Sequence, residues 1–291
     1  MILTGKKIMI SYLREMKMIL YFSATGNTRF VAEYLAEILD DETLNLLDRI
    51  RRNDYSTIHS QKPFIICSPI YVCEMPRFLA SFLRNTSFSD SKEVYFVFTS
   101  GGYAGPAGVL ARRIFRKKNM IYKGCAELIM PRNYIVDNHY SQLGRDEIES
   151  RIIQSYKYLP SVANTIKNGN YLHSRHVWFF ETLITVPFNP VWCYLKQPVN
   201  GFHVTESCIS CGKCEKLCPI NAIQMKDGRP IWKGKSCSHC MSCIQNCPTE
   251  SIEYESVTQE KERYQFSRYK GILETLITEE TGGKNKQQDE Q

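Results

Sequence analysis

Two stretches of this sequence carry cysteine at the same intervals: Cys208, Cys211, Cys214 and Cys218 followed by Pro219, and Cys237, Cys240, Cys243 and Cys247 followed by Pro248. Each reads Cys-x2-Cys-x2-Cys-x3-Cys-Pro, and the second repeats the first 29 residues later. Three thiolates so spaced can wrap three corners of one cuboidal iron-sulfur cluster, while the fourth, turned away at the proline, reaches a second cluster. The pattern predicts two 4Fe-4S clusters: Cys208, Cys211, Cys214 and Cys247 on one, and Cys237, Cys240, Cys243 and Cys218 on the other. Zinc is the competing reading, since Cys-x2-Cys pairs also build tetrahedral sites. It needs four ligands, and it leaves a third cysteine and a Cys-Pro unexplained twice over.

The residues around these cysteines, including Ala222-Ile223 and Ser251-Ile252, resemble the bacterial two-cluster ferredoxin module over roughly Thr205 to Tyr254. Eight of the 12 cysteines lie in the two motifs. Of the others, Cys67 and Cys125 fall on expected strands and read as small buried residues. Cys193 lies in a linker. Cys73 sits in a loop from which it could approach a cofactor.

The region ahead of the motifs has a different rhythm. Short apolar runs near Met18–Phe22, Thr43–Leu47, Phe64–Cys67, Val94–Thr99 and Tyr122–Met130 alternate with amphipathic stretches. The helices expected between them are Asn27–Leu39, Met75–Arg84, Pro106–Lys118 and Asp146–Lys167, with a weaker one over Asp48–Lys62. Such alternation predicts an α/β fold, a doubly wound five-stranded parallel sheet followed by a small α+β cluster-binding domain. Ligands of such a sheet bind at the carboxyl ends of the strands.

At the first of these ends lies Ser23-Ala24-Thr25-Gly26-Asn27-Thr28, leading directly into a helix. Hydroxyls, a glycine and a helix N-terminus suit a phosphate. The loop lacks the lysine of a Walker motif and the three-glycine spacing of a dinucleotide fingerprint. Ordinary helix capping would also use Ser, Thr and Asn here. The segment resembles the FMN phosphate loop of flavodoxin, and the resemblance extends over roughly Lys17 to Lys167. It implies that Ser68-Pro69-Ile70-Tyr71 and Thr99-Ser100-Gly101-Gly102-Tyr103 flank the flavin ring, with Tyr71 and Tyr103 as stacking candidates. Residues 17–168 carry 20 Lys and Arg against 15 Asp and Glu, whereas flavodoxins are typically very acidic. The densest basic run, Arg112, Arg113, Arg116, Lys117 and Lys118, reads as a solvated helix face.

The expected organisation is an N-terminal extension (1–16), a flavodoxin-like FMN-binding domain (17–168), an aromatic-rich linker (169–204), a two-cluster ferredoxin domain (205–255) and a polar C-terminal tail (256–291). Glu181, Pro187, Asn189 and Pro190 interrupt the apolar stretch Val177–Leu195, so no membrane span is expected. Its aromatics are expected to pack between the domains. No secretory signal is visible, which together with the unpaired thiolate clusters predicts a reducing, cytoplasmic setting. The arrangement resembles the EFR-type flavodoxin-ferredoxin fusions of anaerobes. That implies an electron-transfer iron-sulfur flavoprotein serving redox protein partners, with no nucleic acid expected. A flavin-dependent reductase of a small molecule, with the clusters as a wire, is the alternative; His139 in the loop Asn133–His139 is its one general-acid candidate. A redox-sensing regulator is a third reading.

Overall fold

The computed structural model describes residues 19–139, 141–235, 237–273 and 275. The extension 1–16, the first residue of the strand expected at Met18, and residues 276–291 lie outside them.

Three-residue β1 (Ile19–Tyr21) is wholly buried, and its side chains alternate between the two faces of the sheet. Ile19 and Tyr21 join one apolar layer, with Val31 and Leu35 of α1 (Asn27–Leu39) and Ile152 and Leu159 of α5 (Arg145–Lys167). Leu20 and Phe22 join the other, with Leu79 and Leu83 of α3 (Arg77–Asn85) and Ala111 and Phe115 of α4 (Ala107–Arg116). The remaining strands of this sheet are β2 (Thr43–Asn45), β4 (Phe64–Pro69), β6 (Glu93–Ser100) and β7 (Ile121–Ile129), in the order β2-β1-β4-β6-β7, all parallel. Burial on both faces explains why β4 and β6 read as unbroken apolar runs. The expected doubly wound sheet is what forms.

The expected helix over Asp48–Lys62 does not. Helix α2 stops after Leu47–Arg52, and β3 (Ile58–Ser60) then pairs in parallel with β5 (Phe88–Asp90). Ile58 and Ser60 are buried at period two, a strand spacing that an average over the longer window conceals.

Beyond α5 the chain returns along β7, where Leu172 N donates to Lys123 O at 2.8 Å. Gly124 permits this approach: its φ is +97°, and a Cβ there would lie 1.9 Å from Leu172 O. Helix α6 (Phe179–Lys196) follows, with Pro187 and Pro190 inside it.

The C-terminal region contains two antiparallel pairs, β8 (Phe202–Val204) with β11 (Ile252–Tyr254), and β9 (Ile223–Lys226) with β10 (Arg229–Trp232). Short helices α7 (Lys213–Leu217) and α8 (Ser242–Gln245) lie between. The linker as expected therefore ends too late, because Phe202–Val204 already belongs to this unit.

The tail also departs from expectation. Arg263 forms a buried ion pair with Glu253 at 2.7 Å, and Tyr264, Phe266 and Leu273 are buried in the layer of α1 and α5. Segment 258–273 is a strap across the first domain. Its polar composition hides four apolar anchors, which include Tyr269.

Candidate functional site

The eight motif cysteines surround two hollows. Cys208, Cys211, Cys214 and Cys247 line one, framed by Met225 and Ile252; Cys218, Cys237, Cys240 and Cys243 line the other, framed by Phe202 and Trp232. Each encloses about 320 Å³ of space between atoms.

The backbone makes these hollows by repeating one trace. Ser210, Gly212 and Asn221 have φ of 57°, 67° and 52°, and their counterparts 29 residues later, His239, Met241 and Glu250, have 44°, 63° and 50°. Left-handed residues among right-handed ones turn successive amides toward a common centre, a geometry that favours anions. Ala222 N donates to Cys218 Sγ at 3.2 Å and His239 N to Cys237 Sγ at 3.3 Å.

Burial pushes the Cys214 and Cys240 thiols up to about 11, and drives Cys237 and Cys243 higher still. Burial acts the same way on Cys247, but hydrogen bonds from Ser251 and Thr249 outweigh it and hold that thiol below its ordinary value. Thiols in such a site become ligands by exchanging protons for cationic metal, so folding and loading are coupled. This donor set fits iron-sulfur clusters.

At the carboxyl edge of the sheet, the loop Ser23–Thr28 is held by its own hydroxyls and by distant segments. Ser23 Oγ accepts from Gly26 N at 3.1 Å, Asn133 Nδ2 donates to Thr25 Oγ1 at 2.6 Å, and the Thr28 and Thr99 hydroxyls meet at 2.7 Å. Asn27 Nδ2 donates to Pro131 O.

The loop's carbonyls face the C-terminal region. Ala24 O accepts from Ser242 Oγ at 3.3 Å and Asn246 Nδ2 at 2.9 Å, and Thr25 O accepts from Phe266 N at 2.9 Å. In a trans peptide the carbonyl and the next amide point in opposite directions. The amide of Thr25 therefore points back into the loop, where the N-terminus of α1 already favours an anion, while that of Gly26 donates to Ser23 Oγ. This cradle fits a phosphate. Gly26, at φ +106°, is also where the strap presses closest, since a Cβ there would lie 2.8 Å from Phe266 Cβ.

The expected ring loops behave differently from each other. Tyr71 and Glu74 close a turn through mutual backbone hydrogen bonds, with Val72 and Cys73 at φ 50° and 62°. Asn189 Nδ2 of α6 donates to Val72 O at 2.9 Å. The Tyr71 hydroxyl is buried with no hydrogen-bond partner among the described residues. Burial, and then the neighbouring Cys240 and Cys237, push it well above its ordinary range. It lines a cleft with Arg77, Asn189, Cys193 and Cys237, about 900 Å³ of space that runs out into solvent.

In the other loop, Tyr103 is engaged by the linker. The Arg175 guanidinium lies 4.6 Å from its ring centroid, and its hydroxyl donates to Glu181 Oε2 at 2.6 Å. Hydrogen bonds from Arg175 and Tyr103 hold the Glu181 carboxyl down to about 2. Ser68 and Thr99 are buried, and Gly101 lies against Arg132. Cys67 and Cys125 are buried as expected, and burial raises Cys73 and Cys193. His139 is exposed and paired with Asp137.

Trp178, Phe179, Phe180 and Phe188 of the linker are exposed and do not pack between the domains. Phe179, Phe180 and Ile184 are 75%, 57% and 67% exposed. The interface is built instead by the loop after β7, whose Tyr134, Ile135 and Val136 join the apolar core around Phe202, Met241 and Ile252. Gln245, wholly buried, donates to Asn133 O and accepts from Tyr264 N. Nothing local in the sequence distinguishes Gln245, Asn246 and Phe266. Only the 29-residue repeat hinted that residues between motif cysteines face something.

Residues 18–120 match the family model described as a flavodoxin domain, and residues 207–252 match that of a 4Fe-4S dicluster domain. The chain joins a flavodoxin domain to a 4Fe-4S dicluster domain. The two matches support iron-sulfur and flavin cofactors for this chain. The dicluster domain is 48% identical over 31 residues to the 4Fe-4S ferredoxin FdxA of Gottschalkia acidurici, a stretch amounting to 11% of this chain and 55% of that ferredoxin. The chain thus spans about half the length of the curated relative it matches. Among solved structures, the Trp repressor binding protein of Bacillus subtilis is similar at 18% identity and a TM-score of 0.32, with 52% of this chain and 96% of that one covered. The two-electron reduced flavodoxin of Megasphaera elsdenii is similar at 14% identity and a TM-score of 0.26, with 38% and 86% covered. The flavodoxin-like topology is read here from strand order, not from these likenesses. Among the described residues, no helix is long and apolar enough to cross a membrane.

Proposed function

We propose that the chain is an electron carrier in which two 4Fe-4S clusters exchange electrons with FMN bound at the carboxyl edge of the flavodoxin sheet. One observation carries this reading: Ser242 and Asn246, each next to a motif cysteine (Cys243 and Cys247), donate hydrogen bonds to Ala24 O in the candidate phosphate loop. The cysteine-rich backbone thus touches the flavin loop directly. Electron exchange depends on such closeness.

In this reading Cys208, Cys211, Cys214 and Cys247 hold one cluster, and Cys237, Cys240, Cys243 and Cys218 the other. The amide of Thr25 and the N-terminus of α1 would hold the FMN phosphate, with Gly26 turned onto Ser23 Oγ and with Thr25 and Thr28 fixed by Asn133 and Thr99. FMN, when bound, accepts one or two electrons while each cluster exchanges one, so their pairing converts between the two modes. Tyr71, at the end of the ring loop Ser68–Tyr71, lines one cleft with Cys237.

The test is anaerobic purification with counts of iron, sulfide and flavin, followed by reduction with ferredoxin and, separately, with NADH and NADPH. Eight iron atoms, one FMN and reduction by ferredoxin are expected. Four or fewer irons in the fully folded protein, or no flavin, would refute the assignment. The cleft beside Tyr71 and Cys237 favours a second reading, reduction of a small molecule bound there. Turnover of an added acceptor, blocked by filling the cleft with Cys193→Trp, would support it.

A further inference from the structure

Helix α6 is built inside out. Toward the protein it presents Thr182 and Asn189, 7% and 2% exposed, with Asn189 donating to Val72 O. Toward solvent it presents Phe179, Phe180, Leu183, Ile184, Val191 and Leu195. Phe180, Ile184, Val191 and Leu195 recur at steps of four, seven and four residues, so they form one stripe along a helix about 27 Å long. A contiguous apolar surface of this kind marks an interaction site.

The charges around the stripe decide what covers it. Between residues 173 and 200 the sole acidic residue is Glu181, and its carboxylate is taken by Arg175 and Tyr103. Lys196 is exposed at the helix end. Lys233 and Lys235 are exposed in the segment leading to Cys237, whose N–H donates to Gln197 O just past that end. Trp178, stacked on Phe180 at 5.8 Å, is exposed at the other end. An apolar stripe flanked by lysines, with tryptophan at its border, matches the boundary of an anionic bilayer. A parallel pairing of two copies through this face would bring their lysines toward each other.

We propose that α6 is an interfacial anchor that lays the protein on an anionic lipid surface, with the helix parallel to the membrane plane. The proposal is independent of which electron partners the chain serves. Its test is flotation of the full-length, cofactor-loaded protein with vesicles of phosphatidylcholine, with and without phosphatidylglycerol. Co-flotation with the anionic vesicles is expected, decreasing with salt. Leu183→Ser with Ile184→Ser should reduce binding roughly tenfold or more, because each substitution removes an apolar contact with lipid. Lys196→Glu, which leaves the stripe intact, should weaken binding to anionic vesicles alone. Both variants should keep the iron and flavin content of the parent, since the altered side chains are exposed. Absence of binding to anionic vesicles in monodisperse protein would overturn the proposal. So would a dimer that the double serine variant converts to monomer, which would assign the stripe to a second copy.

Discussion

Phe266 is the side chain on which the strap most depends, and its removal gives a quantitative test of the interface. The ring is 3% exposed, lies 4.5 Å from the Phe30 centroid in a stacked arrangement, and packs against Gly26. Truncating a buried phenylalanine to alanine costs about 3–5 kcal/mol. Of this, the stacking accounts for about 0.5–1.5 kcal/mol. The strap has other holds: Tyr264 OH donates to Asn27 Oδ1 at 2.6 Å, and Tyr264 N to Gln245 Oε1 at 2.6 Å. Phe266→Ala should therefore release the strap locally and leave the sheet folded. Since about 1.4 kcal/mol is a tenfold change in an equilibrium, opening should become roughly a hundred- to several-thousand-fold more frequent. Native-state hydrogen exchange reads this at the Phe266 amide, which is bonded to Thr25 O. The amides of β4 and β6 serve as internal controls. Phe266→Leu, which loses the stack but keeps most of the apolar volume, should shift exchange by about tenfold. If the amides at 264 and 266 exchange at parental rates in Phe266→Ala, the strap is not held by this ring and the account of the interface is wrong.

Cys218→Ser should lose the cluster assigned to Cys237, Cys240 and Cys243 and retain the other, which iron analysis and low-temperature EPR would register; loss of the 208–214 signal instead would reverse the assignment. Arg263→Ala strands Glu253 without its buried partner and should destabilise by about 3–5 kcal/mol, whereas Arg263→Met with Glu253→Leu should cost much less in a urea titration. Glu181 should titrate near 2, below the ordinary 4.5, so the stability it lends is present above pH 4.5 and lost as pH falls through about 2; a carboxyl NMR midpoint near 4.5 would contradict this. Proteolytic nicking between 173 and 178 should leave the two domains associated on gel filtration, because their shared contacts lie elsewhere.

The sheet was legible because its strands are buried on both faces and its helices on one, so burial writes a period into the sequence. The cysteine motifs were legible because cluster geometry fixes ligand spacing. The strap was not. Tyr264, Phe266, Tyr269 and Leu273 are too sparse among polar residues to show a period, and their partners lie more than 200 residues away in α1. The linker misled for a related reason. Its aromatic density suggests burial within the chain, yet the side chains that fix α6 to the protein include Glu181 and Asn189, and Phe179, Phe180 and Phe188 face outward. Density alone does not say which face of a helix the fold will take. Tyr71 and Tyr103 were indistinguishable as loop tyrosines. Their surroundings, Cys237 for one and Arg175 with Glu181 for the other, come from segments more than 70 residues distant.

The coupling between the two domains follows from where their cores meet. Tyr134, Ile135 and Val136 leave the flavodoxin sheet at the end of β7 and are buried among residues of the dicluster domain. Tyr264 and Phe266 leave the dicluster domain and are buried in the flavodoxin layer of α1 and α5. Each domain thus completes part of the other's apolar core. A segment of about 50 residues is marginal alone, and burial raises four of its thiols, which binding of a metal cluster would relieve by displacing their protons. In the proposed function, cluster loading would stabilise the hollows that position α8, and Ser242 of α8 with Asn246 holds the carbonyl side of the loop Ser23–Thr28. The amides of that loop are oriented by the same contacts. Under that proposal, occupancy of the clusters and competence of the phosphate loop would be linked through a packed, hydrogen-bonded body of protein. The covalent linker, free of that task, presents its apolar face to the outside.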